Sequence, residues 1–292
     1  MGVKLLDLED QDKVAAAVVI PPEEAKTRPK KEHCYSKISV RHLGRDLCMT
    51  FEIYKNAPIT EAVLDIRTRL SDPSLTRLSE VRDASYPNLF QTPNLMAFTF
   101  SVNEGQPSFN TTTDPLGFSY RSEDEKNIFQ VRKDGFSHNR LSPYTEWQSF
   151  SSEAKRLWSI YKDKAAPVEI ELIGLNYINE IYIPFGVSFE DYFRTYIEVP
   201  SDLPQVLTGF TFTYQLALPN DAGFLQIAQG YGPLKKPDHS TVILNIQATR
   251  QVNKKASEIT EDELWDMFEN LRYAKSQAFE ACITDKVREM IR

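Results

Sequence analysis

Apolar side chains recur at spacings of three and four in the middle of the chain, from about Thr145 to Lys164. This spacing predicts an amphipathic helix with one apolar face. Thr145 with Gln148 three residues later matches a capping box, and Pro167 marks the end of the helix. The positions of the apolar face are Trp147, Phe150, Ala154, Leu157, Trp158 and Tyr161.

Runs of β-branched and aromatic residues predict strands on both sides of this helix. Before it, the runs are those around Val63 to Ile66, "LMAFTFSV", "GFSYRSED" and "NIFQVRKDGFSHNRL", with "EDEK" as a hairpin turn. After it, the strongest strand signal is "VEIELIGLNYINEIYIP", which Pro184 closes. The proline-bearing segment "FEDYFRTYIEVPSDLPQVL" then predicts a connector between two halves.

The second half repeats the order of strands followed by a helix. Its strands are predicted at "GFTFTYQLALP", "GFLQIAQGYG" and "STVILNIQATRQV". A helix of about 33 residues begins at Thr260, where Glu263 completes a capping box, and its length allows a kink or two shorter helices.

This order predicts an α+β fold of two consecutive antiparallel-sheet-plus-helix units, with the helices packed on one face. The units are expected at residues 46–200 and 201–292, with one fused domain as the alternative. Residues 1–45 are charged and proline-bearing, and are expected to form a flexible N-terminal arm.

Net charge and cysteine content indicate the cellular compartment and the class of partner. The net charge of −7 provides no overall basic field, so nucleic acid is the less favoured partner. Three widely spaced cysteines are typical of a reducing cytosol. No apolar run approaches the roughly 20 residues that span a bilayer, so we expect a cytoplasmic protein without a membrane partner.

The common catalytic motifs are absent from the sequence. It contains no GxxxxGK[ST], GxGxxG, GxSxG, HExxH or CxxC pattern. We therefore predict no catalytic residues, no cofactor and no metal site, and we favour a protein that is not an enzyme.

The best candidate for a binding surface is the segment "GFSHNRLSPYTEWQSF", residues 135–150. Arg140, beside His138 and Asn139, is predicted at the end of a strand, and Tyr144 and Trp147 begin the helix. Arg140 and the free amides of the first helical turn could bind a carboxylate or a phosphate. The favoured alternative is structural: Asn139 caps a turn, Arg140 pairs with an acid, and the two aromatic residues anchor the helix.

A second polar set falls within the strong strand after the helix. Alternation places Asn176 and Asn179 on opposite faces, with Tyr177 on the face of Asn179. A buried Asn must be hydrogen-bonded, which serves a ligand or an internal network. The internal network is the favoured interpretation.

Four blocks of sequence together resemble a sporadically distributed, conserved hypothetical family of uncharacterised bacterial and archaeal proteins. The blocks are "NAPITEAVLDIR", "FSHNRLSPYTEWQSF", "GLNYINEIYIP" and "AFEACITDKVREMI", within residues 50–292. The resemblance emphasises Asn56 to Ile59, Glu61, Asn139 to Leu141, Tyr144, Trp147, Tyr177 to Asn179, Phe279 and Ile283. The family often has Arg where this chain has Asn176, so the resemblance gives no second cationic anchor beside Arg140.

The resemblance implies no established activity. Its sporadic distribution suggests a component of a mobile toxin–antitoxin or phage-defence locus. We therefore expect a non-enzymatic protein-binding or regulatory component with a protein or peptide partner, and the pattern is compatible with a homo-oligomer. One alternative is an enzyme acting on nucleotides or nucleic acid through Glu61, His138, Asn139 and Arg140. Another is a chaperone-like holder that binds extended segments on a sheet edge.

Overall fold

The computed structural model describes residues 51–89, 96–103, 106–219 and 222–292, with backbone alone for 96–103 and 106–114. Residues 51–292 form one compact unit. The predicted N-terminal arm lies outside the described residues.

The described chain is built around one antiparallel sheet of nine strands. Their spatial order is β2-β5-β6-β7-β1-β8-β11-β10-β9. The strands are β1 (Ile59–Leu70), β2 (Asn88–Leu89), β5 (Gly117–Arg121), β6 (Asn127–Arg132), β7 (Gly135–Leu141), β8 (Pro167–Pro184), β9 (Thr211–Ala217), β10 (Phe224–Tyr231) and β11 (His239–Lys255). Two further strands are β3 (Met96–Asn103) and β4 (Gln106–Pro115), and among the described residues they pair only with each other.

Two long helices accompany the sheet. The α-helices are α1 (Leu75–Leu78), α2 (Trp147–Ala165), α3 (Glu261–Cys282) and α4 (Asp285–Ile291), with short 3-10 turns at Phe189–Asp191 and Ala256–Glu258. None of the helices in the described ranges combines the length and the apolar character needed to cross a membrane.

The prediction of two consecutive sheet-plus-helix units is wrong. Strand β8, from the first predicted unit, pairs with β1 on one side and with β11, from the second, on the other. Strand β8 spans 18 residues and β11 spans 17, so the pairing between them is the longest in the sheet. Because periodicity shows where strands lie but not which strands pair, the sequence did not reveal that the two halves share a sheet.

The helices cover one face of the sheet. Ala62, Leu64 and Ile66 alternate on that face of β1, and each is fully buried. Helix α2 stacks Phe150 on His138, which is the cross-strand partner of Leu64. The intervening residues of β1 face the other side, where Asp65 pairs with the buried Arg132. The hydrophobic core therefore lies between the sheet and helices α2 and α3.

Two local predictions in the first half are corrected. The segment "NIFQVRKDGFSHNRL" is a hairpin of β6 and β7 rather than one strand, because Lys133-Asp134 form a two-residue turn and Gly135, which follows it, has φ +146°. Helix α2 has no capping box. Its N-cap is Glu146 without a side-chain cap bond, and the Thr145 hydroxyl lies 3.1 Å from the Ser149 hydroxyl.

The C-terminal helix begins as predicted and is divided in two. Thr260 and Glu263 form both bonds of the capping box, which confirms that prediction. The helix is interrupted after Cys282 because its carbonyl accepts a bond from the Arg194 amide, at 2.9 Å. The Thr284 amide likewise donates to the Tyr192 carbonyl. These two bonds replace helical ones, and α4 begins after the break.

Candidate functional site

A cavity of about 300 Å³ opens between the helices, the centre of the sheet and the segment that precedes β1. This volume is at the lower end for sites that bind small molecules. Each of the four sequence blocks described above contributes to its wall. The lining includes Phe51 to Tyr54, Ala57 to Ile59, Tyr144 to Gln148, Tyr177, Asn179, Glu269, Arg272, Lys275, Ser276, Phe279 and Glu280.

Lys275, on α3, is the most unusual group of the cavity. Its Nζ lies 3.6 Å from the centroid of the Tyr177 ring, which is a cation–π contact. Within the described part of the chain, no carboxylate pairs with it. Burial, with a smaller contribution from the charge of Arg272, lowers the pKa of Lys275 from 10.5 to about 7. Near pH 7 this amine is therefore close to half protonated.

The carboxylates around the cavity do not compensate the charge of Lys275, because most already have partners. The pairs are Glu52 with Arg292, Glu269 with Arg272, and Glu280 with Arg288. Glu280 also accepts a bond from the Tyr54 hydroxyl at 2.9 Å. The remaining lining carboxylate, Glu146, is exposed as the N-cap of α2.

Two tyrosines and an asparagine form the polar part of the cavity floor. The hydroxyls of Tyr144 and Tyr177 are 3.1 Å apart, and burial raises the pKa of both groups, so both stay protonated. Asn179 Nδ2 donates to the carbonyls of Tyr177 and Leu244, at 3.3 and 3.0 Å. The hydroxyl contact holds the Tyr177 ring that lies against Lys275, and the Asn179 bonds hold the backbone beneath it.

Trp147, Glu269 and Arg272 form a linked group at the cavity wall. The indole Nε1 of Trp147 donates to Glu269, which also accepts a bond from Arg272 Nη1 at 3.1 Å. The Arg272 guanidinium lies 5.7 Å from the centroid of the Trp147 ring. The group holds the first turn of α2 against α3.

Of the residues predicted for binding, three line this cavity: Tyr144, Trp147 and Asn179. His138 and Arg140 lie on the same sheet face but line a neighbouring cavity of about 280 Å³, which shares Tyr144 with the first. His138 is fully buried, and neither ring nitrogen has a hydrogen-bond partner in the described structure. Burial lowers the pKa of His138 to about 4.

The other predicted residues lie on the opposite face of the sheet. Asn139 Nδ2 donates to Glu61 Oε1 at 2.7 Å and accepts a bond from the Ser137 hydroxyl. Asn176 lies on that face too, since Val63 is the cross-strand partner of both asparagines. Glu61 and Asn139 are therefore separated by the sheet from His138, and the four residues of the enzyme alternative do not surround one cleft.

Sequence reasoning missed Lys275 and Arg272. Both lie on the long C-terminal helix, beside the apolar stripe that contains Leu271, Ala274 and Ala278. A lysine at the border of such a stripe usually extends to solvent. The local sequence does not distinguish Lys275 from such a lysine, because its environment is created by β8 and by the segment before β1.

No group of three or more His, Cys, Asp or Glu side chains within the described ranges is arranged to hold a metal ion. The sequence matches no protein-family model, and a comparison with curated proteins finds no similar one. The resemblance noted from the four blocks stays a prediction.

Proposed function

We propose that this chain is a binding protein whose cavity holds a carboxylate attached to an apolar or aromatic body. The observation that carries the proposal is Lys275, a desolvated cation without an anionic partner among the described residues, on the wall of a cavity rich in aromatic side chains. Such a group is costly to keep charged, and an anion that enters the cavity removes that cost.

The apolar part of the ligand is expected to contact the aromatic wall. Phe51, Tyr54, Trp147 and Phe279 line the cavity together with Pro58. A cavity of about 300 Å³ fits a small organic acid or the end residue of a peptide. Both sources present the same chemistry, which agrees with the expectation of a peptide or protein partner.

Anion binding at this site is expected to weaken as the pH rises. The carboxylate binds the protonated amine, and a neutral amine offers it no charge. With a pKa of about 7 for Lys275 in the free protein, the apparent affinity at pH 8 is expected to be about fivefold lower than at pH 7. A ligand held by apolar contacts alone would show no such change.

The test is calorimetric titration with 3-phenylpropanoate between pH 6 and pH 9. Peptides that end in Phe, with a free carboxylate or a C-terminal amide, distinguish a peptide source from a free acid. The proposal predicts that Lys275→Met weakens binding at least tenfold. Lys275→Arg retains a cation and is expected to bind without the loss of affinity between pH 7 and pH 9.

The matched control is Lys155→Met. Lys155 is exposed on α2, and its Nζ makes a cation–π contact of 5.2 Å with the Trp265 ring outside the cavity. This variant is expected to bind like the wild type. Equal binding by the wild type and Lys275→Met, or no binding of any carboxylate probe by the wild type, would refute the proposal.

The chaperone-like alternative rests on strand β9, which is one of the two edge strands of the nine-stranded sheet and carries no charged residue. An uncharged edge strand is suited to pairing with an extended segment. It stays a prediction. The role in a mobile toxin–antitoxin or phage-defence locus rests on the family resemblance and also stays a prediction.

A further inference from the structure

We propose that Lys275 captures 2-oxo carboxylates as a reversible imine, so that the ligand class of the cavity includes acids with a carbonyl next to the carboxylate. The inference rests on the proposed function, because the cavity that holds the carboxylate and its aromatic body also places the carbonyl carbon beside Lys275. It adds covalent capture to a site that otherwise binds ions.

The position of Lys275 leaves its amine free to react. Arg272, one turn earlier on α3, is paired with Glu269, whereas Lys275 contacts the face of the Tyr177 ring. No ion pair or hydrogen bond with a described residue has to be broken before its nitrogen can form a new bond. The cavity beside it, of about 300 Å³, has room for a small organic acid.

The protonation state of Lys275 supports the same conclusion. Only a neutral amine is a nucleophile, and an ordinary lysine has about one neutral molecule in some 2,500 at pH 7. Burial and Arg272 lower the pKa of Lys275 to about 7, which makes near half of the amines neutral. The charged and titratable groups around it are Arg272, Glu269 and Glu280 on α3, Tyr177 on β8, Tyr144 and Glu146 before α2, and Glu52 and Tyr54 before β1.

The step balances without any further reactant. The neutral Nζ donates its lone pair to the C2 carbonyl carbon, and the carbonyl π electrons move to oxygen, which takes up a proton as nitrogen loses one. The C–O bond of the carbinolamine then breaks, the hydroxyl group leaves with the remaining proton of the nitrogen as water, and the nitrogen lone pair forms the C=N bond. Amine and 2-oxo acid thus give an imine and water, and the imine nitrogen takes a proton from solvent to become an iminium.

The site is suited to the product as well as to the free amine. The iminium is a cation, so the Tyr177 face attracts it as it attracts the ammonium. The carboxylate next to C2 lies beside that cation and provides the counter-ion that Lys275 lacks. The hydrogen bond between the Tyr177 and Tyr144 hydroxyls keeps the ring in place.

The experiment compares phenylpyruvate with 3-phenylpropanoate, which has the same skeleton without the carbonyl. Full-length protein is incubated with phenylpyruvate and sodium cyanoborohydride, which reduces an imine to a stable amine, and the modified residue is located by peptide mass spectrometry. We expect a single adduct at Lys275, with a yield that rises from pH 6 to pH 8. The affinity for 3-phenylpropanoate is expected to fall over the same range.

The variants separate the two proposals. Lys275→Arg keeps a cation but has no nucleophilic amine, so it is expected to form no adduct. Lys155→Met is expected to form the adduct like the wild type. Binding of 3-phenylpropanoate that depends on Lys275, without trapping of phenylpyruvate, overturns imine formation and leaves the proposed function intact. Trapping spread evenly over many lysines also overturns it, whereas failure of both probes overturns both proposals.

Discussion

Substitution of Lys275 by Met is expected to stabilise the ligand-free protein. Folding lowers the pKa of Lys275 from 10.5 to about 7. The folded protein must therefore either release the proton of Lys275 or keep the charge at a cost in free energy. At 1.36 kcal/mol for each tenfold change in proton affinity, the limiting cost is about 5 kcal/mol. Near pH 7, where the folded amine is half neutral, the cost is at most about 4 kcal/mol, because Lys275 is only partly buried. Met fills the same space without a charge.

The stability difference between Lys275→Met and the wild type is expected to depend on pH. Between pH 7 and pH 10.5 the unfolded chain holds a proton on Lys275 that the folded chain has mostly released. The contribution of Lys275 to the free energy of unfolding therefore rises with pH in this window and is lowest at and below pH 7. The advantage of Lys275→Met is expected to shrink by about half between pH 7 and pH 9, from an upper limit of about 4 kcal/mol to one of about 2 kcal/mol.

Urea denaturation of both proteins at pH 6, 7, 8 and 9 measures this difference directly. Other titrating groups contribute equally to the free energy of unfolding of both proteins, so the difference between the two values reports on Lys275. Lys155→Met, at an exposed position, is expected to change stability by less than about 0.5 kcal/mol at every pH. If Lys275→Met is less stable than the wild type, or if its advantage does not depend on pH, the desolvation argument is refuted.

Two further predictions concern His138 and Gly135. Burial lowers the pKa of His138 from 6.5 to about 4. As the pH falls through this window, the free energy of unfolding of the wild type is expected to decrease by up to about 3 kcal/mol. Denaturation of His138→Leu at the same pH values is expected to show no such decrease. A Cβ on Gly135 would lie 2.1 Å from the Ile66 carbonyl oxygen at φ +146°, so Gly135→Ala is expected to cost more than about 3 kcal/mol. Gly174→Ala, whose Cβ would lie 3.4 Å from a Thr249 methyl group, is the control for thermal unfolding; equal effects of the two alanines would contradict the strain argument.

Local features of the fold were predictable because they depend on neighbouring residues. The apolar face of α2 follows from a spacing of three and four, and Thr260 with Glu263 marks the start of α3. Strand pairing was not predictable, because it depends on contacts between residues distant in sequence. The pairing of β8 with β11 is a contact between distant residues, and it joins the two predicted sheets into one.

The residues of the candidate site were also predictable only in part. Tyr144 and Trp147 were selected for their place at the start of a helix, and both line the cavity. Glu61 and Asn139 were grouped with His138, although alternation along β7 directs residues 138 and 139 to opposite faces. Lys275 has no local signature, since its environment is created by β8 and by the segment before β1.

The most direct test of the carboxylate site is the pKa of Lys275 itself. Heteronuclear NMR of the lysine side chains, with the Lys275 resonance assigned by its loss in Lys275→Met, follows the amine through a pH titration. The account predicts a pKa of about 7 in the free protein and a clear rise when 3-phenylpropanoate is bound. A pKa near 10.4 in the free protein, as for an ordinary lysine, or a value that does not change with the ligand, would contradict it.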